Sequence, residues 1–195
     1  MWSKLISDNY RTNTAAAIMA KDYYDINNCA YHNWQHILDC YTYLEQSNTP
    51  YDENLDYAVL YHDVIYDEKP NKELRSADFL LKFFPGKRRA AEIIMATETH
   101  NIKDSDWQKI AMIKADLHQL TDSVCALQNY VLIMREAMQL NSCTMLEVAQ
   151  GNKAFMSQLS NTVIHNKNVD NDDAFWDAVY NGIELTMRIS DAISR

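Results

Sequence analysis

Glycine and proline are scarce in this chain, three of each among 195 residues. So few breakers leave long helices uninterrupted, and plentiful Ala, Leu, Met, Glu, Gln and Lys favour them further. No apolar run approaches the ~20 residues of a membrane-spanning helix, so no membrane partner is expected. Positive charge is also in short supply. Lys and Arg total 18 against 27 Asp and Glu, a net charge of −9. That balance argues against a nucleic-acid backbone or an anionic membrane surface as partner. It leaves a small phosphorylated substrate open, because local cations and a metal ion reverse the field inside a pocket. The four cysteines, Cys29, Cys40, Cys125 and Cys143, form no CxxC and no Cys/His finger spacing. They read as reduced thiols of a cytoplasmic protein. The first eight residues lack the apolar core of a signal peptide.

What remains is helical periodicity, in a length that suits one domain over 1–195 with a sizeable core. The pattern predicts an all-α bundle of roughly eight to nine helices. The first covers about Thr14 to Tyr24. A second begins at Asn33, carries Ile37, Leu38, Tyr41 and Leu44, and ends before Pro50. Asp52 or Asn54 caps a third, with Leu55, Ala58, Val59, His62 and Ile65 or Tyr66 on one side. Pro70-Asn71 opens a fourth, stopped by Pro85-Gly86. Others are expected over Arg89 to Glu98, after the Asp104-Ser105-Asp106 cap to Leu117, and after the Thr121-Asp122-Ser123 cap to about Asn141. The last two cover Thr144 to His165 and Asp173 to Ile193. The polar stretch Asn166 to Asp172 reads as a surface loop.

Three polar intrusions break this pattern. His62-Asp63 lies in Leu60-Tyr61-His62-Asp63-Val64-Ile65, His36 precedes Ile37, and Asp116 sits between Ala115 and Leu117. A buried carboxylate needs a cation or several donors, and a metal ion satisfies imidazole and carboxylate together. His32 and His36 share a face if one helix carries both. If Asn33 is the N-cap, His32 falls in the preceding loop and His36 is the better ligand. His62 and Asp63 diverge by about 100° on a helix, so both reach one ion only if it lies close against that helix. Two imidazoles and two carboxylates leave roughly two positions of an octahedral shell for water and a substrate oxygen. Taken singly, each of these residues reads as readily as a core histidine, a cap or a solvated acid.

In order along the chain, these residues match the H…HD…D pattern of the HD superfamily of metal-dependent phosphohydrolases. Tyr31-His32-Asn33-Trp34-Gln35-His36-Ile37 resembles the YHN-x-x-HI signature of its predicted metal-dependent phosphohydrolase branch. Tyr61 to Asp67 resembles that branch's FHD-x-VYD, Glu73 to Ala77 its E-x-x-SA, and Ile94 to His100 its I-x-x-T-x-x-H. Ala115-Asp116-Leu117 resembles its D-A-DL, with Lys114 in place of the first acid, and Tyr130 to Glu136 a later Y…R-E. The motif-bearing core covers about 30–140, with the C-terminal helices of 144–193 beyond it. The chain departs at Asn28-Cys29-Ala30, where many relatives carry Arg, and at Lys72, where relatives often have Asn.

The resemblance implies a single HD domain and one divalent metal ion (Mn, Fe, Zn, Ni or Mg) held by His36, His62, Asp63 and Asp116. It implies hydrolysis of a small phosphoester, a nucleotide foremost, by metal-activated water. Asp63 is the candidate to orient or deprotonate that water. Glu73 is the candidate for a supporting or proton-transfer role, against a solvated first-turn acid. His32 and His100 are candidates to contact substrate phosphate or a metal water. His100 is the one histidine between the HD pair and Asp116, which favours one metal and counts against a di-iron oxygenase. Lys87-Arg88-Arg89 is a candidate phosphate-attracting rim, or only a solvated face. Arg135 is a candidate partner for Glu136 or Asp116. The alternative function is a metal-containing nucleotide-binding or sensor module without turnover. A dimer is compatible with all of this.

Overall fold

The computed structural model describes residues 14–195 and, among them, contains nine α-helices, two short 3-10 turns and no strand. The helices are α1 Thr14–Asn27, α2 Trp34–Gln46, α3 Glu53–Tyr61, α4 Lys72–Phe83, α5 Arg88–Ile94, α6 Trp107–Leu117, α7 Ser123–Asn141, α8 Met145–Asp170 and α9 Asp173–Ile193. The expected all-α bundle of eight to nine helices is the observed class. The chain divides into two compact units. One runs up to Glu98 and includes Trp107–Asp116, and the other comprises Thr99–Asp106 and Leu117–Arg195.

Local capping chemistry sets most helix starts. Asn33 accepts hydrogen bonds from the Gln35 and His36 amides, Asp52 from those of Asn54 and Leu55, and Asp122 from those of Val124 and Cys125. Each satisfies donors that the first turn leaves open. Thr144 and Glu147 form a reciprocal capping box at α8. Asp106 occupies the cap position of α6 without a side-chain cap bond.

In the first unit α3 is the central element, with every residue from Leu55 to Tyr61 buried. Around it lie α1, α2, α4 and α5, which contribute Ala16, Ala20, Ile37, Leu44, Leu80, Ile93 and Ile94 to one core. A helix buried on all sides has no polar face and owes its place to its neighbours. Helix α3 does not run on through His62 to Ile65 as the periodicity suggests; it stops at Tyr61. The following backbone is held elsewhere. Asn27 Nδ2 donates to the Val64 carbonyl at 3.0 Å, and the Ile65 amide donates to the buried Ser76 Oγ at 3.1 Å. These tertiary bonds replace the next helical turn.

In the second unit α9 packs on α8, on α7 and on the 3-10 turn His118–Thr121. Tyr130 of α7 and Asn152 of α8 both reach the Ser190 hydroxyl of α9, at 2.9 and 3.3 Å. Gly182 lets α9 approach closely, since a Cβ there would meet the Leu120 backbone. The expected surface loop from Asn166 is a correction: α8 continues to Asp170, and Asn166 is wholly buried. Its amide donates to the His100 carbonyl at 2.7 Å and accepts from the Ile102 amide at 2.8 Å. The polar residue satisfies loop backbone that packing has taken out of water. The turn predicted there begins only at Asn171, in the left-handed region at φ 57°.

Candidate metal centre

Four side chains from three places in the first unit converge. His36 comes from the first turn of α2, His62 and Asp63 from the turn that ends α3, and Asp116 from the end of α6. The Asn33 cap places His36 on the inward face of α2 and leaves His32 ahead of the helix. Helix α3 ends at Tyr61, and the adjacent His62 and Asp63 both reach the same group of ligand atoms.

The His36 and His62 Nε2 atoms are 3.2 Å apart. Asp63 Oδ2 lies 3.0 Å from His62 Nε2 and 3.7 Å from His36 Nε2; Asp116 Oδ1 lies 3.2 Å from His36 Nε2 and 3.7 Å from His62 Nε2. One ligand atom from each of the four falls within 4.8 Å of every other. Atoms bound at ~2.1 Å to one ion stand about 3.0–3.4 Å apart for right-angle to tetrahedral geometry. Three of these separations, 3.0, 3.2 and 3.2 Å, fall in that range, and the other two are 3.7 Å.

The donor chemistry fits an ion as well. His62 Nδ1 is 3.0 Å from the Val59 carbonyl. Donation there fixes the tautomer and turns the Nε2 lone pair inward, the usual support of a metal-binding histidine. Two ring nitrogens facing at 3.2 Å beside two carboxylates require a proton or a cation between them. Burial works against charge on His62, yet the Asp63 and Asp116 carboxylates outweigh it and raise its pKa well above the ordinary histidine value. Asp63 is held the other way: burial opposes its charge, but His62 and then His32 keep its carboxyl below the usual range. A metal ion bound here would take the place of that proton. Cys40 Sγ approaches His36 Nε2 at 3.8 Å, but burial first, and the nearby carboxylates second, keep it a thiol. The group is nitrogen and oxygen ligation, and solvent reaches it from the acid side: the imidazoles are 1% exposed, Asp63 10% and Asp116 15%.

The other candidates have definite places. His32 stacks on Tyr66 with ring centroids 3.7 Å apart and lies 6.0 Å from the His36 ring, beside the metal group rather than in it. Glu73 is half-buried in the first turn of α4, with no hydrogen bond or ion pair of its side chain among the described residues. His100 belongs to the second unit and adopts φ 53°. Asp67 forms a two-pronged pair with Arg75. Lys87 pairs with Glu53 at 2.7 Å over the Tyr57 ring, and Arg89 binds Gln108 and Glu92. Two of the three cations in that run are thus held in structural contacts, while Arg88 is exposed. Arg135 is exposed on α7 and has no ion pair among the described residues, so the expected pairing with Glu136 or Asp116 is not seen.

Sequence reading passed over Tyr24. Its ring is buried, its hydroxyl has no hydrogen-bond partner among the described residues, and burial followed by the Asp63 charge raises its pKa well above the ordinary tyrosine value. In an apolar α1 pattern nothing separates such a tyrosine from core packing. The chain matches no family model, no curated protein and no solved structure.

Proposed function

We propose that this chain is an HD-type, metal-dependent phosphohydrolase that releases phosphate from a small phosphoester, with nucleotides the first class to test. The observation that carries the reading is the convergence of His36, His62, Asp63 and Asp116 on one point, with His62 turned inward by Val59. A divalent ion held there supplies Lewis acidity toward a phosphoryl oxygen and lowers the pKa of the attacking water. The two buried imidazoles close the apolar side, and the two partly open carboxylates face the side from which substrate and water arrive. Asp63 directs Oδ2 at the imidazoles, which leaves Oδ1 to orient water and accept its proton. Water oxygen bonds to phosphorus, the ester P–O bond breaks, and the alcohol departs with a proton.

A metal-containing nucleotide-binding module without turnover is the second reading. It is favoured by Glu73, whose side chain has no bond tying it to the ligand group among the described residues.

The test is elemental analysis of the purified protein beside a His62→Ala/Asp63→Ala variant, followed by a phosphate-release assay on nucleotides and sugar phosphates. About one metal per chain in the parent, none in a folded variant and metal-dependent release in the parent alone support the hydrolase. Metal and nucleotide-induced stabilisation without release select the binding module. No metal after reconstitution with Mn, Fe, Ni, Zn or Mg overturns both.

A further inference from the structure

We propose that His32, Tyr66 and Lys72 form an anion subsite beside the metal ligands, which takes a second negatively charged group of the substrate, a phosphate or a carboxylate. The inference rests on the phosphohydrolase reading and narrows it to small phosphoesters bearing two anionic groups.

A continuous series of contacts leads from the metal group to a cation. The His36 ring lies 6.0 Å from the His32 ring, edge to face. His32 stacks on Tyr66 at 3.7 Å with the planes 17° apart. The Lys72 Nζ stands 3.7 Å from the centroid of the same Tyr66 ring. With one ring face covered by imidazole, the ammonium takes the other face, so Tyr66 is clamped between them. All three side chains are half-buried, so each keeps a part that solvent reaches.

Lys72 is the available charge in this series. No carboxylate lies within ion-pair distance of it among the described residues, and its ammonium sits against the Tyr66 ring. Arg75, one turn further on α4, is engaged by both Asp67 oxygens and by the Pro70 and Lys69 carbonyls. Helix α4 gains nothing from a lysine in its first turn, where the helix dipole disfavours a cation. The aromatic ring offsets that cost and fixes the ammonium in place. An anchored ammonium with no carboxylate paired to it among the described residues is a ready counter-charge for a second anionic group of the ligand. Two stacked groups separate Lys72 from His36, so the two anionic groups of the ligand are separated by a spacer of several atoms.

The experiment measures binding of methylphosphonate and of alkane diphosphonates with one, three or five methylene groups to the Mn-reconstituted protein by calorimetry. These compounds carry no ester, so turnover plays no part. In the parent, at least one diphosphonate should bind about tenfold tighter than methylphosphonate, the worth of one charge-assisted contact. Lys72→Gln should abolish that advantage while leaving methylphosphonate affinity within about twofold, and Lys72→Arg should keep it. An advantage that survives in Lys72→Gln, or no advantage for any spacer in the parent, overturns the subsite and leaves the hydrolase reading standing. Failure of methylphosphonate itself to bind the metal-loaded protein removes both.

Discussion

Gly182 separates what helix propensity dictates from what packing dictates. The residue is buried in the middle of α9, where replacing Gly by Ala ordinarily gains about 1 kcal/mol of helix stability. A Cβ at this position would stand 2.9 Å from the Leu120 carbonyl carbon, 3.2 Å from its Cα and in overlap with its oxygen. The obstacle is backbone and cannot rotate away. Relief requires α9 to move off the His118–Thr121 turn by about an ångström. Overpacking of this kind costs on the order of 3 kcal/mol, at the upper end of the usual range. The net effect of Gly182→Ala is then a loss of about 2 kcal/mol, or a fall in Tm of roughly 4–8 °C for a chain of this size. Gly151, in the second turn of α8, has open space where its Cβ would go. There only the helix preference acts, and Gly151→Ala should gain about 0.5–1 kcal/mol. Urea unfolding followed by circular dichroism measures both. A Gly182→Ala variant as stable as the parent would refute the close approach of α9 to Leu120.

Two further outcomes follow from side-chain bonds. Asn166→Ala removes both bonds to the His100–Ile102 backbone, should cost about 2–4 kcal/mol, and should sharply raise amide exchange at Ile102 in native-state hydrogen-exchange measurements; unchanged exchange would contradict the tether. Arg75 holds the Asp67 carboxyl at about 2, below its unfolded value of about 3.9. The pair's stabilisation is thus fully present above about pH 4 and lost as pH falls toward 2. Both partners are about a third exposed, so it amounts to less than about 1 kcal/mol. In Arg75→Met, the Asp67 carboxyl should titrate near 4 by NMR, and an unmoved midpoint would show that the pair does not set it.

The local parts of this protein were legible in its residues. Side-chain caps at Asn33, Asp52, Asp122 and Thr144 act over two or three positions, and apolar spacing marks which face of a helix is buried, so neither needs a partner far along the chain. The identity of the metal-ligand candidates was legible too, because His36, His62-Asp63 and Asp116 interrupt apolar patterns. Other features depended on residues that are distant in sequence. Asn27 and Ser76 decide that α3 ends at Tyr61 and hence that His62 and Asp63 point to one place. Loop backbone at His100 and Ile102 makes Asn166 a buried helical residue rather than part of a polar loop. Glu53, Glu92 and Gln108 engage Lys87 and Arg89, and Tyr66 anchors Lys72. Sequence alone determined the helices and supplied the ligands, since periodicity and capping are short-range. Only tertiary structure decided where the helices stop and which side chains meet, because those choices are set by packing and hydrogen bonds across dozens of residues.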